Sequence, residues 1–161
     1  MSLSLVALPP VRPLGRRRQP PVRIDIMRAV ASGTSALLRR ITSDSDLAAP
    51  LQTIVQLTVG GLEEACWNPG GVYVRDCTIY RSCGRTCART GISEEEAVGA
   101  MDGAAEAFRD DLLVPAALGF DAKYGTRAVD RASALLCGVV DGFTRDAYRE
   151  LRHGFAEVTA Q

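Results

Sequence analysis

The chain has 161 residues, of which 47% are hydrophobic and 24% are charged, and both values are typical of a single globular domain. Its net charge is zero, but residues 1–24 carry five arginines and no acid, so the rest of the chain is mildly acidic. An acidic body argues against a broad nucleic-acid-binding surface, and no apolar run reaches the roughly 18–20 residues that a membrane-spanning helix needs. We therefore expect a cytoplasmic protein that binds neither membranes nor nucleic acid.

Residues 1–24 predict a disordered, basic tail rich in proline and arginine. They contain five of the eight prolines, which disfavour helices and remove hydrogen-bond donors. A signal peptide fits poorly, because the arginines follow the short apolar run instead of preceding it. An organellar transit peptide and a translation start at Met27 remain as alternatives. Residues 25–161 are then a single, mostly helical domain.

Four segments have the apolar spacing of amphipathic helices. They cover residues 26–41, 47–62, 94–112 and 126–153. The third has the clearest start, because the side chains of Ser93 and Glu96 can each bind a backbone N–H of the other in a capping box. Pro115 is expected to end this helix, and Gly154 is a natural C-cap for the last one.

Two of these helices carry small residues at intervals of four. The two strips are Gly99, Gly103 and Ala107 on the third helix, and Ala134, Gly138 and Gly142 on the last helix. A glycine in a helix interior costs about 1 kcal/mol relative to alanine, so a compensating contact is expected. We therefore favour close packing of the two strips against each other. The alternatives are that the strip on the last helix packs against its own copy across a two-fold axis and that some of these glycines face solvent.

The stretch from Cys66 to Cys87 differs from the rest and predicts a small β-hairpin near residues 72–80. Val72–Val74 and Thr78–Tyr80 are β-branched or aromatic, and turn-forming residues precede them. A lone hairpin is marginal in water, so it must lie against the helices or pair with another chain. The predicted fold class is therefore mainly α: a bundle of about four helices with a small β-hairpin insertion.

The same stretch holds four of the five cysteines, and these four are the candidate metal ligands: Cys66, Cys77, Cys83 and Cys87. Only Cys83 and Cys87 are close in sequence, whereas structural zinc sites usually combine two close pairs. Four thiolates could hold zinc or an iron–sulfur cluster if the hairpin folds over them. The alternatives are disulfides and reduced, partly buried cysteines that act as small apolar residues, and we favour the last.

Catalytic motifs are few. His153 is the only histidine, and Glu150 and His153 have the Glu-x-x-His spacing of a di-iron bundle, but that site needs two such motifs. A Cys–His nucleophile would require His153 to reach Cys83 or Cys87. No glycine-rich phosphate-binding loop occurs in the sequence. The sequence therefore favours a protein that is not an enzyme, without deciding the matter.

One segment resembles a known family. Residues 46–57, followed by 71–75 and 78–80, are similar to the opening of a GAF sensor domain, a family common in bacterial signalling proteins. That family begins with such a helix, continues into two antiparallel strands and later returns to strands, whereas this chain stays helical after Cys87. The resemblance implies a sensory role, and no ligand-binding residue is carried over from it.

We therefore expect a regulatory or sensory protein that works by binding a protein partner or a second copy of itself. A small-molecule ligand is a further option. A thiol-based metal or redox sensor that uses the Cys66–Cys87 cluster is the first alternative, and an enzyme that acts on a small molecule is the second.

Overall fold

The computed structural model describes residues 20–43, 46–69 and 77–161, and these residues are almost entirely helical. The helices are α1 (Pro21–Ser43), α2 (Ala49–Trp67), α3 (Thr78–Arg89), α4 (Glu94–Ala107), α5 (Val114–Leu118), α6 (Asp121–Tyr124) and α7 (Thr126–Thr159), with a π-helical turn, Phe108–Leu113, between α4 and α5. The prediction of a mainly α protein is confirmed, whereas the predicted number of about four helices is wrong, because α3, α5 and α6 were not predicted as helices. None of the helices in these ranges is long and apolar enough to cross a membrane.

The predicted β-hairpin is wrong. No strand occurs in the described ranges, and Thr78–Tyr80 form the first turn of α3. The side chain of Tyr80 is only 2% exposed, and its ring packs edge-on against the ring of Phe143 on α7 with 6.1 Å between the centroids. In the helix, the Tyr80 ring is buried in the core. The free energy of this burial outweighs the weak strand preference of the neighbouring side chains. The other half of the predicted hairpin, Val72–Val74, lies outside the described residues.

α7 joins two hydrophobic clusters into one continuous core. It is 34 residues long, which corresponds to roughly 50 Å. Its first half packs with α1, the end of α2 and the π-helical turn, and its second half packs with α3 and the starts of α2 and α4. Phe143 lies between the two halves and packs against both clusters.

α1 begins earlier than the sequence predicts, at Pro21. Proline suits the first turn of a helix because its missing N–H would be unpaired there. Residues 21–24, which the sequence assigns to the tail, thus belong to the domain, and Val22 is buried. Asp25 fixes this end of α1 to α6, since its carboxylate accepts hydrogen bonds from Lys123 at 2.9 Å and from Tyr124. Residues 1–19 lie outside the described part of the chain.

The capping box at the start of α4 is present as predicted. The hydroxyl of Ser93 accepts a hydrogen bond from the N–H of Glu96 at 3.1 Å, and the Glu96 carboxylate accepts one from the N–H of Ser93 at 2.8 Å. The three glutamates of the first turn lie at the positive end of the helix dipole, which favours them. This end of the helix could therefore be located from sequence.

The other end of this helix does not lie before Pro115 as predicted, because the helical rod continues through α5 to Leu118. The π-helical turn comes first, and the N–H of Val114 bonds the carbonyl of Arg109 five residues earlier. A proline inside a regular α-helix clashes with the carbonyl four residues before it. The wider turn before Pro115 accommodates the ring, so the proline does not end the rod.

The two predicted glycine strips do not pack against each other. Apart from the adjoining backbone of the same helix, no heavy atom of the described residues lies within 4 Å of a Cβ built on Gly99, Gly103 or Gly138. Ala134 and Gly138 are exposed on α7, and Gly99 and Gly103 are exposed on α4. The interval of four put each strip on one side of its helix, but that side is not the one that faces the core.

Close contact between helices instead involves Gly84 of α3 and Gly154 of α7. A Cβ on Gly84 would overlap the carbonyl of Leu151 and lie 3.2 Å from the Cα of Gly154, and one on Gly154 would overlap the carbonyl of Arg81. The two backbones can touch here because neither glycine has a side chain. Gly154 is therefore an interior contact point of α7 and not the predicted C-cap.

Candidate functional site

The four candidate metal ligands are divided between the two parts of the core. Cys66 belongs to the cluster around the first half of α7, whereas Cys77 and Cys87 belong to the other cluster. Cys83 is half-buried, one helical turn before Cys87 on the same side of α3. Among the described residues, no three His, Cys, Asp or Glu side chains come together in a group that could hold a metal. The structure therefore does not assemble the four-thiolate site.

The thiols lie in surroundings that disfavour the thiolate. Burial, together with a smaller effect of nearby Cys137, raises the pKa of Cys66 to about 12. Burial also raises the pKa of Cys83 and of Cys87. A nucleophilic or metal-binding cysteine needs the thiolate, which a lowered pKa provides. These positions suit small apolar residues better than reactive ones, and none of the five cysteines forms a disulfide.

His153 is paired with an arginine. Its Nδ1 lies 3.2 Å from the guanidinium of Arg81 on α3, and the same guanidinium donates a hydrogen bond to the carboxylate of Glu150 at 2.9 Å. Both members of the Glu-x-x-His pair are thus engaged by one side chain of the neighbouring helix. The pair serves the contact between α3 and α7, which is a structural role.

Two of the three arginines of α3 lie against α7. Arg81 binds Glu150, and Arg85 binds Glu157 at 2.6 Å, so both guanidinium groups are held against α7. The side of α3 that faces α2 is different in chemistry. Ile79, Ser82, Cys83 and Thr86 lie there, and none of them is charged. Ile79 is 47% exposed, so this side of α3 presents a large apolar side chain to solvent.

α2 also presents an uncharged side to solvent. No charged residue occurs between Asp46 and Glu63, although Thr53, Gln56 and Gly60 are exposed. The opposite side of α2 is buried in the core through Leu51, Ile54, Val55, Thr58, Val59 and Leu62. A surface helix normally carries charged side chains towards solvent. The exposed side of α2 therefore differs from that of an ordinary surface helix.

The uncharged sides of α2 and α3 meet along two adjoining grooves. One groove has a volume of about 270 Å³ and the other of about 590 Å³. Leu57 and Ile79 line both grooves, so they lie where the two meet. Of the described residues that line them, only Glu64 is charged. We call this surface the α2–α3 face, and its residues are Pro50, Thr53, Gln56, Leu57, Gly60, Ile79, Ser82, Cys83 and Thr86.

A buried hydrogen bond fixes α3 to α2 beneath this face. The hydroxyl of Thr58 donates to the carbonyl of Ile54 at 2.7 Å, which leaves it to accept from the hydroxyl of Tyr80 at 3.1 Å. The hydroxyl of Tyr80 therefore acts as the donor, and burial raises the pKa of this phenol. This bond holds the start of α3 against α2. Tyr80 also lines the larger groove.

Comparison of the chain with protein-family models, with curated proteins and with solved structures gives no match. The α2–α3 face must therefore be interpreted from its own residues.

Sequence reasoning did not identify the α2–α3 face as a site. One signal was available, because the segment from Leu47 to Leu62 has no charged residue although it is predicted to be an amphipathic helix. The other half of the face could not be found, because residues 78–80 were assigned to a strand. With that assignment, Ile79 and Ser82 do not fall on one side of a helix next to α2.

Proposed function

We propose that this chain is a non-enzymatic, regulatory protein-interaction domain and that it binds its partner through the α2–α3 face. The observation that carries the proposal is the uncharged, partly apolar surface that α2 and α3 share. The cores of protein interfaces are depleted of charged residues, whereas ordinary protein surface is not. Solvent exposure of Ile79 and Leu57 costs free energy that a bound partner would recover.

The face has a shape that suits a protein segment. Two grooves meet at Leu57 and Ile79, so an apolar side chain of a partner can lie on either side of this point. Hydroxyl and amide groups of Thr53, Gln56 and Ser82 surround it and can form hydrogen bonds without the cost of burying a charge.

Site-specific photo-crosslinking in the cells that make the protein tests this proposal. A photoreactive amino acid at Ser82 is expected to give one discrete covalent adduct, since the position lies on the face but not at its apolar centre. The same amino acid at Ala134, which is exposed on α7, is the matched control and is expected to give none. Absence of an adduct from Ser82, or equal labelling from Ala134, would refute the proposal.

A further inference from the structure

The proposed function leaves the partner open, and the chemistry of the face identifies one. Resting on that function, we propose that the α2–α3 face binds a second copy of this chain, with a two-fold axis passing beside Gln56 and Leu57.

Charge is the first reason for this choice of partner. A two-fold axis places each residue close to it opposite its own copy, so any charge near the axis meets a like charge. Like charges in contact across an interface repel each other and oppose association. A face built for a partner of opposite charge would carry charges of its own. The α2–α3 face carries none at its centre, which is what contact between identical surfaces requires.

The exposed side of α4 does not meet this requirement, because it carries Glu95, Asp102 and Glu106. Across a two-fold axis these carboxylates would lie opposite copies of themselves. Self-association through that side would therefore be repulsive, whereas self-association through the α2–α3 face would not.

The uncharged polar groups on α2 are the second reason. The amide of Gln56 has both a donor and an acceptor, so it can form a hydrogen bond with its own copy, which a carboxylate or a guanidinium cannot do. The hydroxyl of Thr53 already donates to the carbonyl of Ala49 at 3.1 Å, so it remains only as an acceptor.

Gly60 is consistent with the same contact. It lies inside α2, where glycine weakens a helix, and apart from the adjoining backbone of the same helix no heavy atom of the described residues lies within 4 Å of a Cβ built on it. Within one copy of the chain, none of the described residues packs against Gly60 so closely that a side chain would be excluded there. A second α2 that crosses at this position could approach closely.

Sedimentation velocity across a dilution series tests the inference with a pair of charge variants. The wild-type protein is expected to be a dimer that dissociates on dilution. Gln56→Lys and Gln56→Glu are each expected to be monomeric, because a charge then faces its own copy. An equimolar mixture of the two is expected to form dimers again, because lysine then faces glutamate. Ala134→Lys adds the same charge at an exposed position of α7 outside the α2–α3 face and should leave the dimer unchanged.

Three results would overturn the inference: a wild type that is monomeric at every concentration, dimers that persist in both Gln56 variants, or a mixture that stays monomeric. Thr53→Lys and Thr53→Glu provide an independent pair on the same exposed side, and circular dichroism verifies that each variant is folded. The outcome is separable from that of the proposed function. A monomeric wild type whose Ser82 position still crosslinks to a different protein would remove the second copy but leave the interaction surface.

Discussion

At the scale of single residues, the two hydroxyl groups of the buried hydrogen bond between Thr58 and Tyr80 contribute unequally to stability. Thr58 keeps its bond to the carbonyl of Ile54 when the tyrosine hydroxyl is removed, whereas Tyr80 loses its acceptor when the threonine hydroxyl is removed. A buried donor left without an acceptor costs about 1–3 kcal/mol, and the loss of a satisfied bond costs about 0.5–1.5 kcal/mol.

We therefore predict that Thr58→Val lowers the free energy of unfolding more than Tyr80→Phe does. Urea denaturation of the two variants and of the double variant measures this difference and the coupling between the two residues. A larger loss for Tyr80→Phe would show that the hydroxyl of Tyr80 is not the donor in this bond.

The thiol of Cys66 makes stability depend on pH in the alkaline range. Its pKa is raised from 9.0 to about 12 by burial, so between these values the unfolded chain loses a proton that the folded chain keeps. Stability from this group is complete below about pH 9 and is lost as the pH rises towards 12. The slope is about 1.4 kcal/mol per pH unit.

The expected loss from Cys66 between pH 8 and pH 10.5 is about 2 kcal/mol. Urea denaturation of the wild type and of Cys66→Ala at both pH values measures it. The variant should start from a lower stability, because it leaves a cavity, but it should lose less on going to the higher pH. Equal losses in the two proteins would mean that the thiol is not protected by the fold.

At the scale of elements, backbone contact holds α3 on α7, and ion pairs add little to it. Arg85 and Glu157 are both partly exposed, so salt screens their attraction. The contact between Gly84 and Gly154 is different, because a Cβ at either position would meet backbone that cannot rotate away. Removal of the ion pair should therefore be tolerated, whereas loss of the glycines should not.

We predict that Gly154→Ala destabilises the protein by about 1–3 kcal/mol or more, because it overpacks the contact. The matched control is Gly138→Ala on the exposed side of the same helix, which should stabilise the protein by up to about 1 kcal/mol. Glu157→Gln should cause a small loss that shrinks as salt is added, whereas the loss in Gly154→Ala should be independent of salt. Urea denaturation at low and high salt compares the three variants. A Gly154→Ala protein at least as stable as the wild type would contradict the packing of α3 on α7.

Sequence patterns located these elements to different degrees. The start of α4 could be predicted because a capping box is a local interaction between Ser93 and Glu96. The identity of α3 could not, because β-branched and aromatic residues at its start favour strand locally, and the packing that favours helix comes from residues far away in sequence, such as Phe143. The role of Gly154 was missed for the same reason, since a C-cap and a close helix contact have the same local sequence signal.

At the scale of the whole molecule, α7 is the element around which both clusters of the core form. Apolar spacing predicted its inner side correctly, because Val129, Leu136, Val140 and Leu151 are all buried. Spacing could not show which helix lies on which part of α7, since that depends on contacts between residues far apart in sequence. For the same reason, and because the start of α3 was assigned to a strand, the α2–α3 face could not be predicted as one surface.

Cys83 offers a test of whether the α2–α3 face is covered in solution. It is half-buried on the face, and Cys137 is half-buried on α7 away from it, so the second thiol serves as a reference in the same sample. The rate of maleimide labelling at each thiol can be followed by mass spectrometry across a dilution series. Labelling of Cys83 should become slower as the protein concentration rises, while labelling of Cys137 stays constant. A Cys83 rate that is the same at every concentration would contradict self-association through this face.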